Sequence, residues 1–321
     1  MTAARIYGPL ISTGDLDGQT RLFTEVFGMR EACRTHVEGE QAAALFGPEV
    51  RAAEVIVLNT PGTNNGAMLC SFDPPCEELV RDQDSRLAAD ALKVIDFYAP
   101  DHAAAVRHAR ERGYAVVQEE AAYELEAGAF REAHLWAGDN VATAFLGGPA
   151  DFFTGYAQVR DRVVSEVLSI SSPVSDAGPV LDFYDAVFDW QVIFEYAITD
   201  ASLAAMLGSG EDVQLRGLCV GNSTREPYFG LMDYGISSGA ASLRGRSGPP
   251  RRGLVGAVLL ADDLTATLSK AREAGGEQAV ASAPTDLEMA PFGVTRAAVV
   301  LPPHGVWHLV VEATNPAPAD R

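Results

Sequence analysis

The sequence contains few side chains of the kinds that act as nucleophiles, and their spacing narrows the possible chemistry. Lys93 and Lys270 are the only lysines, so a mechanism through a Schiff base has two candidates. Ser237 lies at the centre of a Gly-x-Ser-x-Gly pattern, which is typical of a hydrolase nucleophile elbow. The Gly-, Ser-, Arg- and Pro-rich segment that follows predicts a loop, however, where an elbow requires a helix. The four cysteines have no Cys-x-x-Cys spacing, so we expect free thiols.

The histidines are the other candidates for acid–base or ligand chemistry. His134 lies in an alternating segment whose period of two can direct it toward the interior of the N-terminal half, and His36 lies on or near an early strand. His102 and His108 fall in a predicted helix and are expected to face solvent. A single histidine on a strand is more often structural than a ligand. No glycine-rich phosphate loop, His-Glu-x-x-His motif or dinucleotide fingerprint occurs, so no nucleotide cofactor is expected.

The charge of the chain limits its possible partners, and its length limits the number of domains. The chain has 321 residues and a net charge of −20, from 24 basic and 44 acidic side chains. Such a surface repels phosphate backbones and anionic lipid head groups, so neither nucleic acid nor a membrane is an expected partner. No apolar run reaches the roughly 18 residues of a membrane span, and no secretory signal is visible. We therefore expect a cytoplasmic protein of two ordinary domains.

An internal repeat organises the chain. The segment Leu22–Met29 recurs as Phe183–Trp190, and Ala109–Gly113 recurs as Ala271–Gly275, each about 160 residues later. Within each half, the order of strand, helix and further strands occurs twice. The pattern predicts an α+β chain of four βαβββ modules, at about residues 4–75, 91–148, 162–235 and 253–313.

Two of these segments carry a family resemblance. The runs Leu10-Ile-Ser-Thr-Gly-Asp15-Leu and Leu181-Asp-Phe-Tyr-Asp-Ala-Val-Phe-Asp-Trp190 resemble the opening strand and helix of the vicinal oxygen chelate superfamily of glyoxalases, bleomycin-resistance proteins and extradiol dioxygenases. The resemblance implies that modules pair into cup-shaped half-barrel sheets, two per chain, each holding one small ligand. Pairing the modules within each half predicts an N-terminal domain of residues 1–155 and a C-terminal domain of residues 156–321.

The resemblance also implies one divalent metal per cup, held by His and Glu side chains of the first and last strands of paired modules. The implied positions of the N-terminal cup are occupied by Gly8, Cys70, Val94 and Thr143. Those of the C-terminal cup are occupied by Glu166, Gly230, Gly256 and His308. Because typical ligands occur only at Glu166 and His308, no cofactor is predicted. Iron, manganese or zinc bound by those two residues and water is the alternative.

Glu166 and His308 are therefore the candidate catalytic residues, in the C-terminal cup. Facing each other, they would form an acid–base couple, because burial raises the pKa of a carboxyl group and a carboxylate tunes an imidazole toward neutral pH. In the alternative interpretation both residues are structural: Glu166 bonds the end of a strand, and His308 packs beside Trp307.

Strand alternation supplies candidate substrate contacts. Val306 and Val310 share the face of His308, and Tyr228 and Met232 share a face of their own strand. We predict these four as substrate-binding residues, which favours a small hydrophobic or aromatic substrate.

The expected function is that of a lyase or isomerase acting by acid–base chemistry on a small carbonyl or aromatic compound. Two alternatives stay open: a metal-dependent dioxygenase or lyase at the same two residues, and a non-catalytic protein that sequesters an aromatic compound. Either a monomer or a homodimer is compatible with four modules.

One long connection is unusually basic. The arginine-rich loop (residues 234–253) carries four arginines, and its counterpart, the acidic loop (residues 73–90), is also long. The arginine-rich loop is either a lid that holds a carboxylate or phosphate, or a solvated linker. A further hypothesis is that the two loops meet across a dimer.

Overall fold

The computed structural model describes residues 4–209, 212–236 and 241–313, and Ser237 of the Gly-x-Ser-x-Gly pattern lies outside them. The elements of the first half are β1 (Ala4–Ser12), α1 (Leu16–Glu25), β2 (Arg30–Glu38), α2 (Gly39–Phe46), β3 (Ala52–Asn59), β4 (Gly66–Asp73), β5 (Val94–Tyr98), α3 (His102–Glu111), β6 (Ala121–Leu125), β7 (Gly128–Trp136), β8 (Ala142–Gly147) and α4 (Ala150–Thr154). Those of the second half are β9 (Val167–Pro173), α5 (Ala177–Phe188), β10 (Gln191–Ile198), α6 (Ala201–Leu207), β11 (Leu215–Gly221), β12 (Tyr228–Asp233), β13 (Gly253–Ala261), α7 (Leu264–Gly275), β14 (Thr285–Met289), β15 (Gly293–Val300) and β16 (Trp307–Glu312). All four predicted modules are present.

The same kind of residue starts the main helix of every module. The side chains of Asp15, Asp101, Asp176 and Asp263 each accept a hydrogen bond from a backbone N–H in the first turn of the helix that follows. A carboxylate in this position satisfies an amide that has no partner within the helix and interacts favourably with the helix dipole. This recurring cap is a local signal, which is why the four modules can be read from the sequence.

The sheets combine modules differently from the prediction. One eight-stranded sheet has the order β14-β15-β16-β13-β1-β4-β3-β2, and the other has the order β10-β11-β12-β9-β5-β8-β7-β6. The first module therefore pairs with the fourth, through antiparallel β1 and β13, and the second pairs with the third, through β5 and β9. The expected pairing within each half, as residues 1–155 and 156–321, is wrong. Every module offers the same free edge on its first strand, so the pattern within a module does not select its partner.

The two sheets pack through the faces that carry the helices. A large buried cluster contains residues from both sheets and from α1, α3, α5 and α7. Phe27 stacks on Phe97 with ring centroids 4.1 Å apart, and the Trp190 indole donates a hydrogen bond of 2.7 Å to the carbonyl oxygen of Ala4. These contacts leave the opposite, concave face of each sheet for other uses.

The two concave faces differ in content. The face of the first sheet is filled by its own apolar side chains, among them Tyr7, Met68, Phe292 and Leu309. The face of the second sheet surrounds a cavity. Of the two cups, the one built from the second and third modules is therefore the better place for a ligand.

The arginine-rich loop and the acidic loop meet within one chain. Arg251 Nε lies 2.9 Å from a carboxylate oxygen of Glu78, and Arg252 Nη2 lies 2.7 Å from one of Glu77. Loop residues that were hypothesised to meet across a dimer thus already have partners in their own chain. None of the helices in the described part of the chain has both the length and the apolar character needed to cross a bilayer.

Candidate active site

The structure does not bring Glu166 and His308 together. Glu166 directly precedes β9 of the second sheet, and its carboxylate accepts hydrogen bonds from the backbone N–H groups of Gln158, at 2.6 Å, and Val159, at 2.9 Å. His308 lies on β16 of the first sheet. The predicted acid–base couple is therefore wrong, and so is a metal shared by the two residues. The structural interpretation of Glu166, as a bond beside a strand end, describes what is found.

His308 faces away from its own cup. Leu309 of β16 points into the apolar filling of the first sheet, and the alternation of the strand sends His308 to the opposite side. There its ring stacks on Phe229 with centroids 5.1 Å apart, and its Nε2 lies 3.0 Å from the hydroxyl oxygen of Tyr184. His308 is thus part of the core between the sheets, packed on those rings rather than beside Trp307.

Of the four predicted substrate-binding residues, two line a cavity and two lie in the core between the sheets. Tyr228 and Met232, on β12, line the cavity of the second sheet. Val306 and Val310 belong to the buried cluster between the sheets and are not among the residues that line this cavity. The alternation was read correctly for both strands, but the face that it selects on β16 packs against the helices.

The cavity has an aromatic wall and a polar floor. Its volume is about 90 Å³, several times the 10–15 Å³ that one water molecule needs. The wall is contributed by Tyr123, Phe130, Phe152, Phe153, Phe194, Tyr196, Tyr228 and Tyr234. The floor is contributed by Lys93, Asp96, Glu132, His134, Ser169 and Ser171. An apolar enclosure with a few converging polar groups is the usual composition of a small-molecule site.

Asp96 is the central carboxyl group of the floor. It lies on β5 opposite Ser169 of β9, and its Oδ2 accepts hydrogen bonds from the hydroxyl groups of Ser169, at 2.5 Å, and Ser171, at 2.8 Å. The side chain is 5% exposed. Burial, together with the negative charge of Glu132, raises the pKa of Asp96 to about 7 despite the two serine hydrogen bonds. This carboxyl group therefore changes its protonation state near neutral pH.

Lys93 lies immediately before β5 and is 1% exposed. Its Nζ donates a hydrogen bond of 2.6 Å to the hydroxyl oxygen of Tyr234. Burial, followed by the positive charge of Arg81, lowers the pKa of Lys93 to about 7. A substantial fraction of this amine is therefore unprotonated at neutral pH, which is unusual for lysine.

Arg81, on the acidic loop, holds the segment that carries Lys93. Its guanidinium is buried and donates to the backbone carbonyl oxygens of Leu92, at 2.8 Å, Ala91, at 2.6 Å, and Ser85, at 2.7 Å. The acidic loop thus both positions Lys93 and supplies a charge that lowers its pKa.

Replacing Arg81 by Met is expected to raise the pKa of Lys93, because the charge that repels the ammonium form is removed. NMR of protein containing isotope-labelled lysine measures this directly, since only Lys93 and Lys270 give signals. We expect Lys93 to titrate near pH 7 in the unmodified protein and at higher pH in the variant. Arg251→Met, which removes a surface ion pair with Glu78, is the matched control. An ordinary lysine pKa in the unmodified protein would contradict the prediction.

Glu132 and His134 form a second polar pair on β7. Nε2 of His134 lies 2.7 Å from a carboxylate oxygen of Glu132, and the Tyr123 hydroxyl lies 3.5 Å from the other oxygen. Burial alone would raise the pKa of Glu132, but the hydrogen bond and charge of His134 outweigh it, so this pKa is lowered. Glu132 is therefore ionised, and His134 donates through Nε2. His134 points inward, as its alternation in the sequence suggested, but it lines the cavity of the second and third modules and not a cup of the N-terminal half.

Sequence reasoning named Lys93 only as one of two lysines that could form a Schiff base, and it missed Asp96. A signal was present: the run Leu92-Lys-Val-Ile-Asp-Phe-Tyr98 has two charged residues in an otherwise apolar strand. Buried charges of this kind are rare unless they are paired or functional.

The residues present do not fit the divalent metal of the superfamily. In the pairing that the structure shows, the implied positions of the second cup are Val94, Thr143, Glu166 and Gly230, and the carboxylate of Glu166 is taken by backbone amides. Among the residues that the structure describes, no group of three His, Cys, Asp or Glu side chains could hold a metal ion. The central strands instead offer Asp96 and two hydroxyl groups, beside the cation-forming Lys93. This donor set is poor for Fe, Mn or Zn.

Several solved structures have a similar architecture. Glyoxalase I from Zea mays matches with a TM-score of 0.62 and 14% identity, over 98% of this chain and 94% of that one. A single-residue variant of the maize protein matches with a TM-score of 0.64 and 13% identity, over 98% and 94%. A putative dioxygenase from Bacillus subtilis matches with a TM-score of 0.55 and 9% identity, over 97% and 86%. No protein-family model matches the sequence, and no curated protein matches it.

The chain has the fold of these glyoxalase and dioxygenase structures, which confirms the fold that the resemblance to the vicinal oxygen chelate superfamily implied. It is the four-module form of that fold, with two cup-shaped sheets in one chain. At these identities the likeness concerns the fold, so the function has to be argued from the cavity itself.

Proposed function

We propose that the cup of the second and third modules is the active site of an enzyme that moves a proton on a small aromatic or apolar carbonyl compound, without a divalent metal. The observation that carries this proposal is that Asp96 and Lys93, each with a pKa near 7, share the floor of an aromatic cavity. Groups with such values are the most effective acid–base catalysts at neutral pH.

The two groups would have complementary roles. The Asp96 carboxylate takes a proton from the carbon next to the carbonyl group, and the Lys93 ammonium stabilises the oxygen on which negative charge develops. Return of the proton to a different carbon gives an isomerisation, and loss of a group from the neighbouring carbon gives a lyase reaction. Glu132 supports this division, since its negative charge helps to keep the pKa of Asp96 high. The aromatic wall would bind the apolar part of the substrate and exclude water.

The aromatic wall also favours a second candidate, a protein that binds an aromatic compound without changing it. Eight phenylalanine and tyrosine side chains line this one cavity, which is sufficient for binding an aromatic compound. Binding alone needs no titrating group in the floor. It therefore does not explain the shifted pKa values of Asp96 and Lys93, which the acid–base function does explain.

Proton exchange into phenylacetone tests the proposal, because this compound has an aromatic ring and an acidic C–H beside a carbonyl group. In deuterium oxide, we expect the protein to accelerate loss of the α-proton NMR signal above the buffer rate, with and without a chelator. Heat-denatured protein at the same concentration is the control for general catalysis. Binding of phenylacetone without exchange would support the binding protein instead, and exchange abolished by a chelator would overturn the metal-independent assignment.

A further inference from the structure

Lys93 is a buried lysine without a carboxylate partner. No carboxylate oxygen in the described part of the chain lies within 4.0 Å of its Nζ. A buried ammonium group without such a partner is costly, so the neutral amine is favoured. A structural lysine in a protein interior would normally be paired, and this one instead borders a cavity.

Tyr234 contacts the Lys93 amine without using its lone pair. The Tyr234 oxygen accepts the hydrogen bond from Nζ, and its own hydroxyl group is directed at the sulfur of Met232, 3.8 Å away. Burial keeps the pKa of the Tyr234 phenol above its usual value, so it remains a neutral hydroxyl group. Because Nζ is the donor in its bond with Tyr234, the lone pair of the neutral amine is not used by that bond.

We propose that Lys93 forms an imine with an aldehyde or ketone bound in the cavity. This inference rests on the proposed function and deepens it, because it assigns the substrate class and gives Lys93 a covalent role: the protonated imine nitrogen takes the place of the Lys93 ammonium group in stabilising the negative charge that develops. Lys270, the only other lysine, lies on α7 of the fourth module and does not line this cavity. The two lysines therefore form an internal comparison.

The step balances without an oxidant or reductant. The nitrogen lone pair of Lys93 attacks the carbonyl carbon, the carbonyl oxygen takes up protons, and it leaves as water, so that amine and carbonyl give imine and water. Asp96 is on the same floor and, with its pKa near 7, can supply the proton to the departing oxygen. Protonation of the imine nitrogen then makes the neighbouring C–H more acidic, which is the bond that Asp96 is proposed to break.

Trapping with benzaldehyde and sodium cyanoborohydride tests the inference. Benzaldehyde fits the aromatic wall but has no α-hydrogen, so its imine forms without the proton transfer of the proposed function. Hydride reduction of the imine leaves a benzyl group on the amine, which peptide mass spectrometry locates. At neutral pH and limiting benzaldehyde, we expect benzylation at Lys93 at least about tenfold above Lys270, because an ordinary lysine is almost fully protonated there.

Two variants control the experiment. Lys93→Met should abolish the preferred adduct, and Lys270→Met should leave it unchanged. The rate of trapping at Lys93 should rise with pH through about 7, where the amine loses its proton beside Arg81, Arg86, Asp96 and Glu132. If Lys93→Met does not fold, the relative labelling of the two lysines in the unmodified protein still decides the question.

The outcomes separate this inference from the proposed function. Benzylation of Lys270 and the amino terminus but not of Lys93 would overturn the imine, whether or not phenylacetone exchanges its protons. Selective benzylation of Lys93 without exchange of phenylacetone would support the imine and overturn the proton-transfer function.

Discussion

Asp96→Asn is expected to slow phenylacetone proton exchange by roughly 100- to 10,000-fold, the usual contribution of a positioned acid–base group. The amide has nearly the shape of the carboxyl group and keeps an oxygen that can accept from Ser169 and Ser171, so the variant should fold. It cannot accept the proton from carbon, which is why the rate is lost. Asp151→Asn, on the exposed side of α4, is the matched control and should keep full activity.

The pH profile of the unmodified protein gives a second readout of the same assignment. The raised pKa of Asp96 means that its carboxylate appears only as the pH rises through about 7, so exchange should increase over that range. The lowered pKa of Lys93 means that its ammonium form is lost over the same range. A bell-shaped profile centred near neutral pH is therefore expected. An Asp96→Asn variant within about threefold of the unmodified rate would contradict the assignment, given the larger loss expected.

His308→Gln is expected to make the protein less sensitive to acid. Burial lowers the pKa of His308 from 6.5 to about 3, and neighbouring His304 contributes to the shift. The unfolded chain binds this proton more tightly than the folded protein, so protonation favours unfolding. The contribution of His308 to the free energy of unfolding is therefore complete above pH 6.5 and is lost as the pH falls toward about 3. Between pH 7 and pH 5, this amounts to about 2 kcal/mol of unfolding free energy for one histidine.

Urea unfolding at pH 7 and pH 5 measures the difference between the two proteins. Asp96, with its raised pKa, changes stability in the opposite direction over this range, but its contribution is common to both and cancels. The Gln side chain can keep the hydrogen bond with Tyr184. His36→Gln is the control on an exposed histidine of β2. Equal pH dependence of the unmodified and His308→Gln proteins would refute the explanation.

The candidate site was partly visible in the sequence. Tyr228 and Met232 were predicted to face a ligand cavity from alternation alone, and they line it. His134 was likewise a candidate for a cup interior, and Lys93 was one of two possible Schiff-base lysines. These predictions depend on one strand at a time, which local periodicity describes well.

Glu166 and His308 failed for a different reason. The prediction that these two side chains face each other assumed that the third and fourth modules share a sheet. It also assumed that the face of β16 carrying His308 lines a cup. Alternation divides a strand into two faces but does not say which one turns inward when both are buried. Both faces of β16 pack against apolar or aromatic side chains. The sequence pattern therefore could not show which face of β16 lines the cup.

The sequence by itself determined the four modules, the order of their strands and helices, the α+β class and the superfamily fold. These follow from local periodicity and from the repeat. Only the tertiary structure decided which modules share a sheet, and therefore that one cup is filled while the other holds Lys93 and Asp96. The physical reason is that the first strands have equivalent edges, so the partner of each module depends on contacts between modules distant in the chain.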